Sequence, residues 1–175
     1  KAGFKGVEYL FPYDFDKDEL AERLRQHDLQ QVLHNLPAGD WAAGERGIAC
    51  LPDRVGEFQE GVGRAIEYAQ ALGCRQLNCL AGLAPPGADA DALRETLLSN
   101  LRFAADALGN AGIHLLIEPI NTRDVPGFYL TGTRQALEII DATESDNIGL
   151  QYDIYHMQIM EGDLASTIER HLGRI

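Results

Sequence analysis

Short apolar runs alternate along most of this chain with longer segments whose apolar residues recur every three or four positions. Runs of this length are typical of strands buried on both faces of a sheet, and the longer period is typical of helices with one face on a core. The pattern predicts strands near residues 7–11, 29–36, 76–80, 114–118 and 148–154. It predicts helices near residues 16–26, 54–72, 91–110, 133–142 and 164–172, with residues 173–175 starting a further strand.

Strand and helix alternate five times, which is the pattern of βα units around a parallel sheet. We expect the strands to be neighbours in chain order, with their carboxyl ends on one rim. Neither a Walker loop nor a GxGxxG motif occurs, so nucleotide-binding folds are less favoured. The fold class is α/β, a partial (β/α)8 TIM barrel. A complete barrel takes about 250 residues, so residues 1–175 are expected to be a single domain that lacks its first and last strands.

Two acidic residues stand where predicted strands end. Glu118 follows an apolar run, and Asp153 lies in the same context one strand later. Asp and Glu are rarely buried without a partner or a metal, because an unpaired charge is costly in a low-dielectric interior. Each acid alone could simply cap a following helix. As a pair at the carboxyl ends of successive parallel strands, they indicate one shared site.

A Gly-rich loop at residues 38–47 carries Trp41, the single Trp of the chain. Loops of this length without regular structure are usually lids, binding loops or disordered linkers. The position of Trp41 among glycines and charged residues favours a lid, and the alternative is that Trp41 packs the loop down. His34, shortly before the loop, is either a core histidine or a ligand contact.

The charge balance excludes some classes of protein. The formal net charge is −12 and the pI is about 4.7, whereas proteins that follow nucleic acid backbones cluster Lys and Arg. No apolar run approaches the roughly 20 residues of a membrane-spanning helix, and no signal peptide is recognisable, so a cytoplasmic location is expected. Cys50, Cys74 and Cys79 form no CxxC pair and are expected to be reduced structural thiols.

Five stretches resemble the xylose-isomerase-like TIM barrel family, and within it the isomerases that act on hydroxypyruvate: GVEYLFPYDF, LHNLPAGDWAAGERGIACLPDR, LLIEPIN, PGFYLTGTRQAL and QYDIYHMQ. The resemblance runs almost from end to end, and HNLPAGDWAAGERGIA and YDIYHMQ are long enough to be specific. The 2-oxo-tetronate isomerases of the same family share the fold and the acids, but not this form of those two stretches.

The resemblance implies roles for individual residues. Glu118 would be a metal ligand and one of two catalytic glutamates, Asp153 a second metal ligand, and His156 a substrate-positioning group. The family's other two ligands, a Gln on the seventh strand and a Glu on the eighth, have no counterpart in residues 1–175. This chain alone is therefore expected to be inactive.

The implied reaction interconverts hydroxypyruvate and tartronate semialdehyde (2-hydroxy-3-oxopropanoate) through an enediolate, as a step of glyoxylate metabolism. It needs a carboxylate base near each carbon and a cation to hold the developing oxyanion. Ligation by oxygen atoms alone suits Mg²⁺ or Mn²⁺ better than zinc. A DNA-repair enzyme on the same barrel would need several His for a zinc cluster and a basic face, which five His and the acidic charge disfavour.

The implied partner is a small hydroxy or oxo acid. Arg46 could bind its carboxylate and Trp41 could exclude water, with His34 as a further candidate contact. The alternatives are a 2-oxo-tetronate or related sugar-acid or ketose isomerase or epimerase and, in another class, an inactive fragment or small-molecule binding module. Because an arc of five strands exposes two sheet edges, self-association into a homo-oligomer or aggregates is also expected.

Overall fold

Strands and helices alternate in the predicted order in the computed structural model, which describes residues 3–175. The strands are β1 (Gly6–Glu8), β2 (Gln30–Asn35), β3 (Gln76–Cys79), β4 (His114–Ile117) and β5 (Ile148–Leu150). The α-helices are α1 (Lys17–Gln26), α2 (Val55–Leu72), α3 (Ala90–Asn110), α4 (Thr133–Thr143), α5 (Ile154–Met160) and α6 (Leu164–His171), and a 3-10 turn at Pro52–Arg54 leads into α2.

The strands of the described region form one parallel sheet whose spatial order is the chain order, from β1 to β5. Asn35 lies opposite Asn78 where β2 pairs with β3, and Ile117 lies opposite Leu150 where β4 pairs with β5. The carboxyl ends of the strands therefore share one rim, which confirms the predicted arrangement. β1 and β5 are the edges of this sheet, and self-association through them stays a prediction.

Local sequence signals explain where the helices begin and end. Asp16 caps α1 because its carboxylate accepts the backbone N–H groups of Asp18 and Glu19, both at 3.0 Å. Asp89 caps α3 in the same way. Gly73 ends α2 in the left-handed conformation, at φ 65°, that favours glycine. These helix bounds agree with the predicted ones to within a residue or two.

The core lies between the sheet and the helices. Leu77, Cys79, Leu115 and Ile117 take alternate strand positions and are almost completely buried. They belong to one apolar cluster with the buried faces of α2, α3 and α4. Side chains alternate along a strand, so the residues between them face the opposite, concave side of the sheet. The second face is where polar side chains collect.

Three predicted strand bounds are wrong. The strand predicted at residues 7–11 is β1, which ends at Glu8. The strand predicted to run to residue 154 ends at Leu150, and α5, which was not predicted, begins at Ile154. The apolar residues of this segment continue from strand into helix, so hydrophobicity alone does not mark the change. The predicted strand start at residues 173–175 is not a strand, although the Arg174 carbonyl accepts the Leu150 N–H at 2.7 Å.

Cys50, Cys74 and Cys79 are buried and unpaired, which confirms the prediction of reduced structural thiols. Burial raises the pKa of the Cys50 thiol to about 11, so this group stays protonated near neutral pH. Among the described residues, no helix combines the length and the hydropathy needed to cross a membrane.

Candidate active site

A line of polar side chains crosses the carboxyl ends of β2, β3 and β4. The Asn78 amide donates to the Asn35 amide oxygen at 3.1 Å and to Glu118 Oε2 at 2.8 Å. All three side chains are buried. Adjacent parallel strands place these residues side by side, because each occupies an inward-facing position near the end of its strand. The Asn78 hydrogen bond therefore fixes the position of the Glu118 carboxylate through Oε2. The other oxygen, Oε1, does not take part in this bond.

The surroundings of Glu118 disfavour its charged form. Burial, and next the negative charge of Asp153, raise the pKa of Glu118 to about 7 against the opposing effect of the Asn78 hydrogen bond. A carboxyl group with this pKa is partly ionised near neutral pH, so it can both accept and return a proton. Glu118 thus has the electrostatic properties of a general base.

Asp153 and His156 approach Glu118 from the start of α5. His156 Nε2 lies 4.0 Å from Glu118 Oε1 and 3.9 Å from Asp153 Oδ2. One ligand atom from each of the three residues falls within 4.8 Å of the others. The arrangement depends on α5 beginning shortly after β5 ends at Leu150, because Asp153 is then its N-cap and His156 lies in its first turn. The pair of acids predicted to share one site does lie together.

The alternative that both acids are merely helix caps holds for only one of them. Asp153 does cap α5, since its Oδ1 accepts the Tyr155 N–H at 2.7 Å. Its other oxygen, Oδ2, is directed toward His156. Glu118 caps nothing, because the next helix begins only at Thr133. Helix capping therefore does not explain why the two carboxylates converge.

The donor atoms of this cluster fit a divalent cation. Glu118 Oε1 and Asp153 Oδ2 are carboxylate oxygens whose like charges repel, and a cation between them would offset that repulsion. Carboxylate oxygens suit hard cations, whereas an imidazole nitrogen is accepted by many divalent metals. The three residues could hold a metal ion, and their geometry alone does not select which ion.

The cluster opens into a cavity of about 450 Å³ on the concave side of the sheet. This volume is in the range of small-molecule sites, which combine apolar walls with a few polar groups. The polar part contains Glu118, Asp153 and His156 together with Glu8, Asn35 and Gln151. The walls and the entrance are formed by Leu10, Leu33, Leu80, Ile120, Val125, Trp41 and Arg46.

The loop of residues 38–47 lies against this cavity and is anchored at several points. Trp41 packs on Phe11 with ring centroids 5.0 Å apart, and the Arg46 guanidinium lies 4.1 Å from the Trp41 ring centroid. Glu45 is paired with Arg54 at 2.7 Å. Trp41 therefore packs the loop down, as the alternative interpretation has it, and also lines the cavity. A lid role for the loop stays a prediction.

Arg46 donates from Nη1 to the carbonyl oxygens of Trp41 at 3.1 Å and of Glu45 at 2.7 Å. Within residues 3–175, its Nε and Nη2 groups have no protein hydrogen-bond acceptor. A guanidinium carries five N–H donors, so these free groups can bind an anion in the cavity. Arg46 is the cationic side chain that lines this space.

His34 lies on the other face of the sheet from the cavity. Its neighbours Leu33 and Asn35 line the cavity, so alternation directs His34 toward the helices, where its ring contacts Tyr13 edge-on at 5.8 Å. Nδ1 is 3.1 Å from the Asn35 carbonyl, and burial lowers the pKa of His34 to about 4. The structure brings the other five predicted site residues together, but it does not bring His34 to them.

Sequence reasoning missed two amides that organise the site. Asn78 is bonded to Glu118, and Asn121 lies 2.7 Å from the His156 ring nitrogen Nδ1. The sequence does contain a signal for Asn78, which is a polar residue between the apolar Leu77 and Cys79 of a buried strand. Asn121 is in a loop, so no periodic pattern marks it.

Comparison with known proteins gives consistent matches over the whole chain. A family profile described as Xylose isomerase-like TIM barrel matches residues 1–175. The hydroxypyruvate isomerase of Escherichia coli (strain K12) is 55% identical over 175 residues, which cover 100% of this chain and 68% of that protein. The 2-oxo-tetronate isomerase of Cupriavidus necator is 46% identical over 173 residues, covering 99% of this chain and 66% of that protein.

Among solved structures, a Brucella melitensis protein described as AP endonuclease, family 2, superposes with a TM-score of 0.97. It is 48% identical, and the match covers 99% of this chain and 67% of that chain. The chain thus spans about two thirds of the length of these relatives.

Proposed function

Because the chain belongs to the xylose isomerase-like TIM barrel family, we propose that it forms part of an isomerase active site that interconverts hydroxypyruvate and tartronate semialdehyde. The observation that carries this proposal is the convergence of Glu118, Asp153 and His156 in one cavity at the carboxyl ends of the strands. The function named for the similar Escherichia coli protein agrees with the sequence-based expectation.

The proposed reaction moves a proton between adjacent carbon atoms, which requires a base beside the carbon that loses it. Glu118 is the group suited to this step, because it is a carboxylate that lines the cavity and because burial raises its pKa, which makes it a stronger base than an exposed carboxylate. The Asn78 hydrogen bond to Oε2 fixes the orientation of the carboxylate during both transfers. His156 lies beside the same position and can bind a substrate oxygen.

Glu118 and Asp153 would hold the cation. We propose Mg²⁺ or Mn²⁺, since the carboxylate oxygens are hard donors. A bound cation would supply positive charge that stabilises the negative charge developing on the substrate oxygen. The protein's own contribution is to keep both carboxylates in place: Asn78 restrains Glu118, and the cap of α5 restrains Asp153.

The substrate is proposed to be a small hydroxy or oxo acid. Arg46 can bind its carboxylate through the N–H groups that have no protein acceptor, and the packing of Arg46 on Trp41 limits the freedom of the guanidinium. Trp41 and the apolar walls exclude water from the reacting atoms. We also propose that the protein is cytoplasmic and that the reaction is a step of glyoxylate metabolism.

Isomerisation of a 2-oxo-tetronate is the second candidate, supported by the 46% identity with the Cupriavidus necator protein. An AP endonuclease, the description of the Brucella melitensis protein, is disfavoured by the net charge of −12, because binding to DNA phosphates relies on Lys and Arg. Within residues 3–175, the acidic cluster that could hold a metal ion contains a single His, His156.

The test is a substrate panel with a full-length protein that contains residues 1–175, freed of metal and then supplied with Mg²⁺ or Mn²⁺, because residues 1–175 alone are expected to be inactive. We expect conversion of hydroxypyruvate to tartronate semialdehyde that depends on added cation, with a higher kcat/KM than for a 2-oxo-tetronate. A preference for the tetronate would favour the second candidate. If that full-length protein binds oxo acids but does not convert them under any metal condition, the site is a binding site rather than a catalytic one.

A further inference from the structure

The Asn121 side chain has only one orientation that satisfies its neighbours. Its Oδ1 accepts the backbone N–H of Asp124 at 2.9 Å, and its Nδ2 donates to the Asp124 carboxylate at 3.0 Å. A backbone N–H can only donate and an ionised carboxylate can only accept, so exchanging the two ends of the amide would break both bonds. Asn121 is also completely buried, so water cannot replace those partners.

This orientation decides which nitrogen of His156 carries the proton. The same Asn121 Nδ2 lies 2.7 Å from His156 Nδ1. Because Nδ2 is a donor, Nδ1 must accept, and in the neutral ring the proton then resides on Nε2. Nε2 is the ring atom that lies near Glu118 Oε1 and Asp153 Oδ2, so the N–H bond is directed into the cavity.

We propose that Asn121 is a positioning residue that holds His156 as an Nε2–H donor. His156 then donates a hydrogen bond to a substrate oxygen, and Glu118 and Asp153 are left to hold the cation. A nitrogen that bears a proton has no lone pair for a metal, so proximity to the acids does not make His156 a ligand in this state. The substrate part of the inference rests on the proposed function, whereas the tautomer does not.

The rest of the network supports a fixed position for Asn121. The Tyr155 hydroxyl donates to Asp124 Oδ2 at 2.5 Å, the same oxygen that accepts from Asn121. Tyr155 and His156 are neighbours at the start of α5. Two hydrogen bonds therefore connect the loop after β4 to the first turn of α5. One joins Asn121 to His156, and the other joins Asp124 to Tyr155.

Two other histidines provide an internal contrast. The His114 Nδ1 is 3.1 Å from Asn147 Oδ1, and the Asn147 amide is oriented by donating to the carbonyls of Ala105 and Ile113, both at 2.9 Å. Here the asparagine presents its oxygen, so His114 carries its proton on Nδ1. His34 also donates from Nδ1, to the Asn35 carbonyl at 3.1 Å. The structure thus predicts opposite tautomers within one chain.

Nitrogen-15 NMR of the protein labelled at histidine tests the tautomers, because protonated and unprotonated ring nitrogens have distinct chemical shifts. At a pH where the rings are neutral, we expect the proton on Nε2 in His156 and on Nδ1 in His114 and His34. A proton on Nδ1 of His156 in the parent protein would overturn the inference. This result needs no variant and no turnover.

The substitution Asn121→Asp tests the positioning role, since a carboxylate accepts where the amide donates. We expect the His156 proton to move to Nδ1 and the dissociation constant for hydroxypyruvate, measured by titration of the ring signals, to rise about tenfold, as for the loss of one hydrogen bond. Asn100→Asp is the matched control, because Asn100 is also a buried amide and its Nδ2 donates to the Ala49 carbonyl.

The control should lower stability without changing the His156 tautomer or hydroxypyruvate affinity. Equal loss of affinity in both variants would show that Asn121 has only a structural role. If hydroxypyruvate binds with unchanged affinity when His156 has lost its Nε2 proton, the donor role is wrong. Absence of isomerisation in the full-length parent protein would count against the proposed function alone, because neither the spectra nor the binding titration depends on turnover.

Discussion

At each end of the sheet, a histidine lines a cavity together with carboxylates. At the carboxyl end, His156 is beside Glu118 and Asp153. At the amino end, His114 borders a cavity of about 560 Å³ together with Asp141 and three further acidic or polar residues, Glu144, Ser145 and Asp146. The amino-end cavity is the larger of the two, so neither size nor the kinds of residue distinguish the ends.

The surroundings of the acids do distinguish them. At the amino end, Asp141, Glu144 and Asp146 are exposed, and Asp141 pairs with Arg174 at 2.6 Å. Solvent can reach all three carboxylates, and the Arg174 guanidinium pairs with the Asp141 carboxylate. At the carboxyl end, Glu118 is 7% exposed and its pKa is raised by burial and by Asp153. The comparison indicates that reactivity arises where the fold places carboxylates together and withholds solvent from them.

The largest effect on kcat is expected from a substitution of Glu118, at the carboxyl end of the sheet. Substituting Glu118→Gln keeps the shape and one oxygen but removes the base, so kcat for hydroxypyruvate should fall by a factor on the order of 10² or more. The measurement is the initial rate of isomerisation by the full-length protein with saturating cation. Asp141→Asn at the amino end is the matched control and should leave kcat near that of the parent protein.

An equal loss of kcat in these two variants would show that the rate reports global stability and not the chemistry of Glu118. Near-parental isomerisation by Glu118→Gln would show that another group is the base.

The next largest effect is expected at Asp153, and it distinguishes the role of Asp153 from that of Glu118. Asp153→Asn should weaken Mn²⁺ binding by at least about tenfold, since changes even to groups behind metal ligands cost that much. Added Mn²⁺ or Mg²⁺ should restore much of the activity, because Asp153 is assigned no proton transfer. Isothermal titration with Mn²⁺ gives the affinity. Activity that stays low at saturating cation would assign Asp153 a direct part in the reaction.

A smaller effect is expected at the entrance to the cavity. Arg46→Ala removes the guanidinium that packs on Trp41, and the KM for hydroxypyruvate should rise by about tenfold with little change in melting temperature. Arg54→Ala is a useful comparison, because Arg54 holds the same loop through Glu45 but does not line the cavity. Similar KM values for both variants would assign the loop a structural role.

The outline of the site could be predicted from the sequence, because strand periodicity and residue type are local properties. Glu118 and Asp153 follow apolar runs, and parallel strands bring such positions to one rim. The contact of Asn121 with His156 could not be predicted, since it joins residues 35 apart in the chain and depends on the path of a loop. The helix α5 was missed because its apolar residues continue those of β5.

His34 shows that a place near the carboxyl rim is not enough, because a shift of one strand position moves a side chain to the other face. We expect His34 to affect the stability of the fold and not the reaction, and we expect this effect to be the smallest of those predicted. The pKa of His34 is lowered from 6.5 to about 4 in the folded protein, so below pH 6.5 the unfolded chain binds the proton more readily. This contribution to stability is complete above pH 6.5 and is lost as the pH falls.

We expect the free energy of unfolding to decrease by roughly 1 kcal/mol between about pH 6.5 and 5.5 from this group alone. Chemical denaturation across this range measures the slope, and His34→Gln should remove that part of it. An unchanged slope in the variant would show that His34 titrates alike in both states.

The most direct test of the difference between the two ends is a Mn²⁺ titration observed at the histidine rings by NMR, because this paramagnetic ion broadens the signals of nuclei close to it. If the carboxyl end holds the cation, the His156 signals broaden at the lowest Mn²⁺ concentrations while those of His114 persist. Asp153→Asn should shift this broadening to higher concentrations. Broadening of His114 first, or of both rings together, would contradict the placement of the cation site at Glu118 and Asp153.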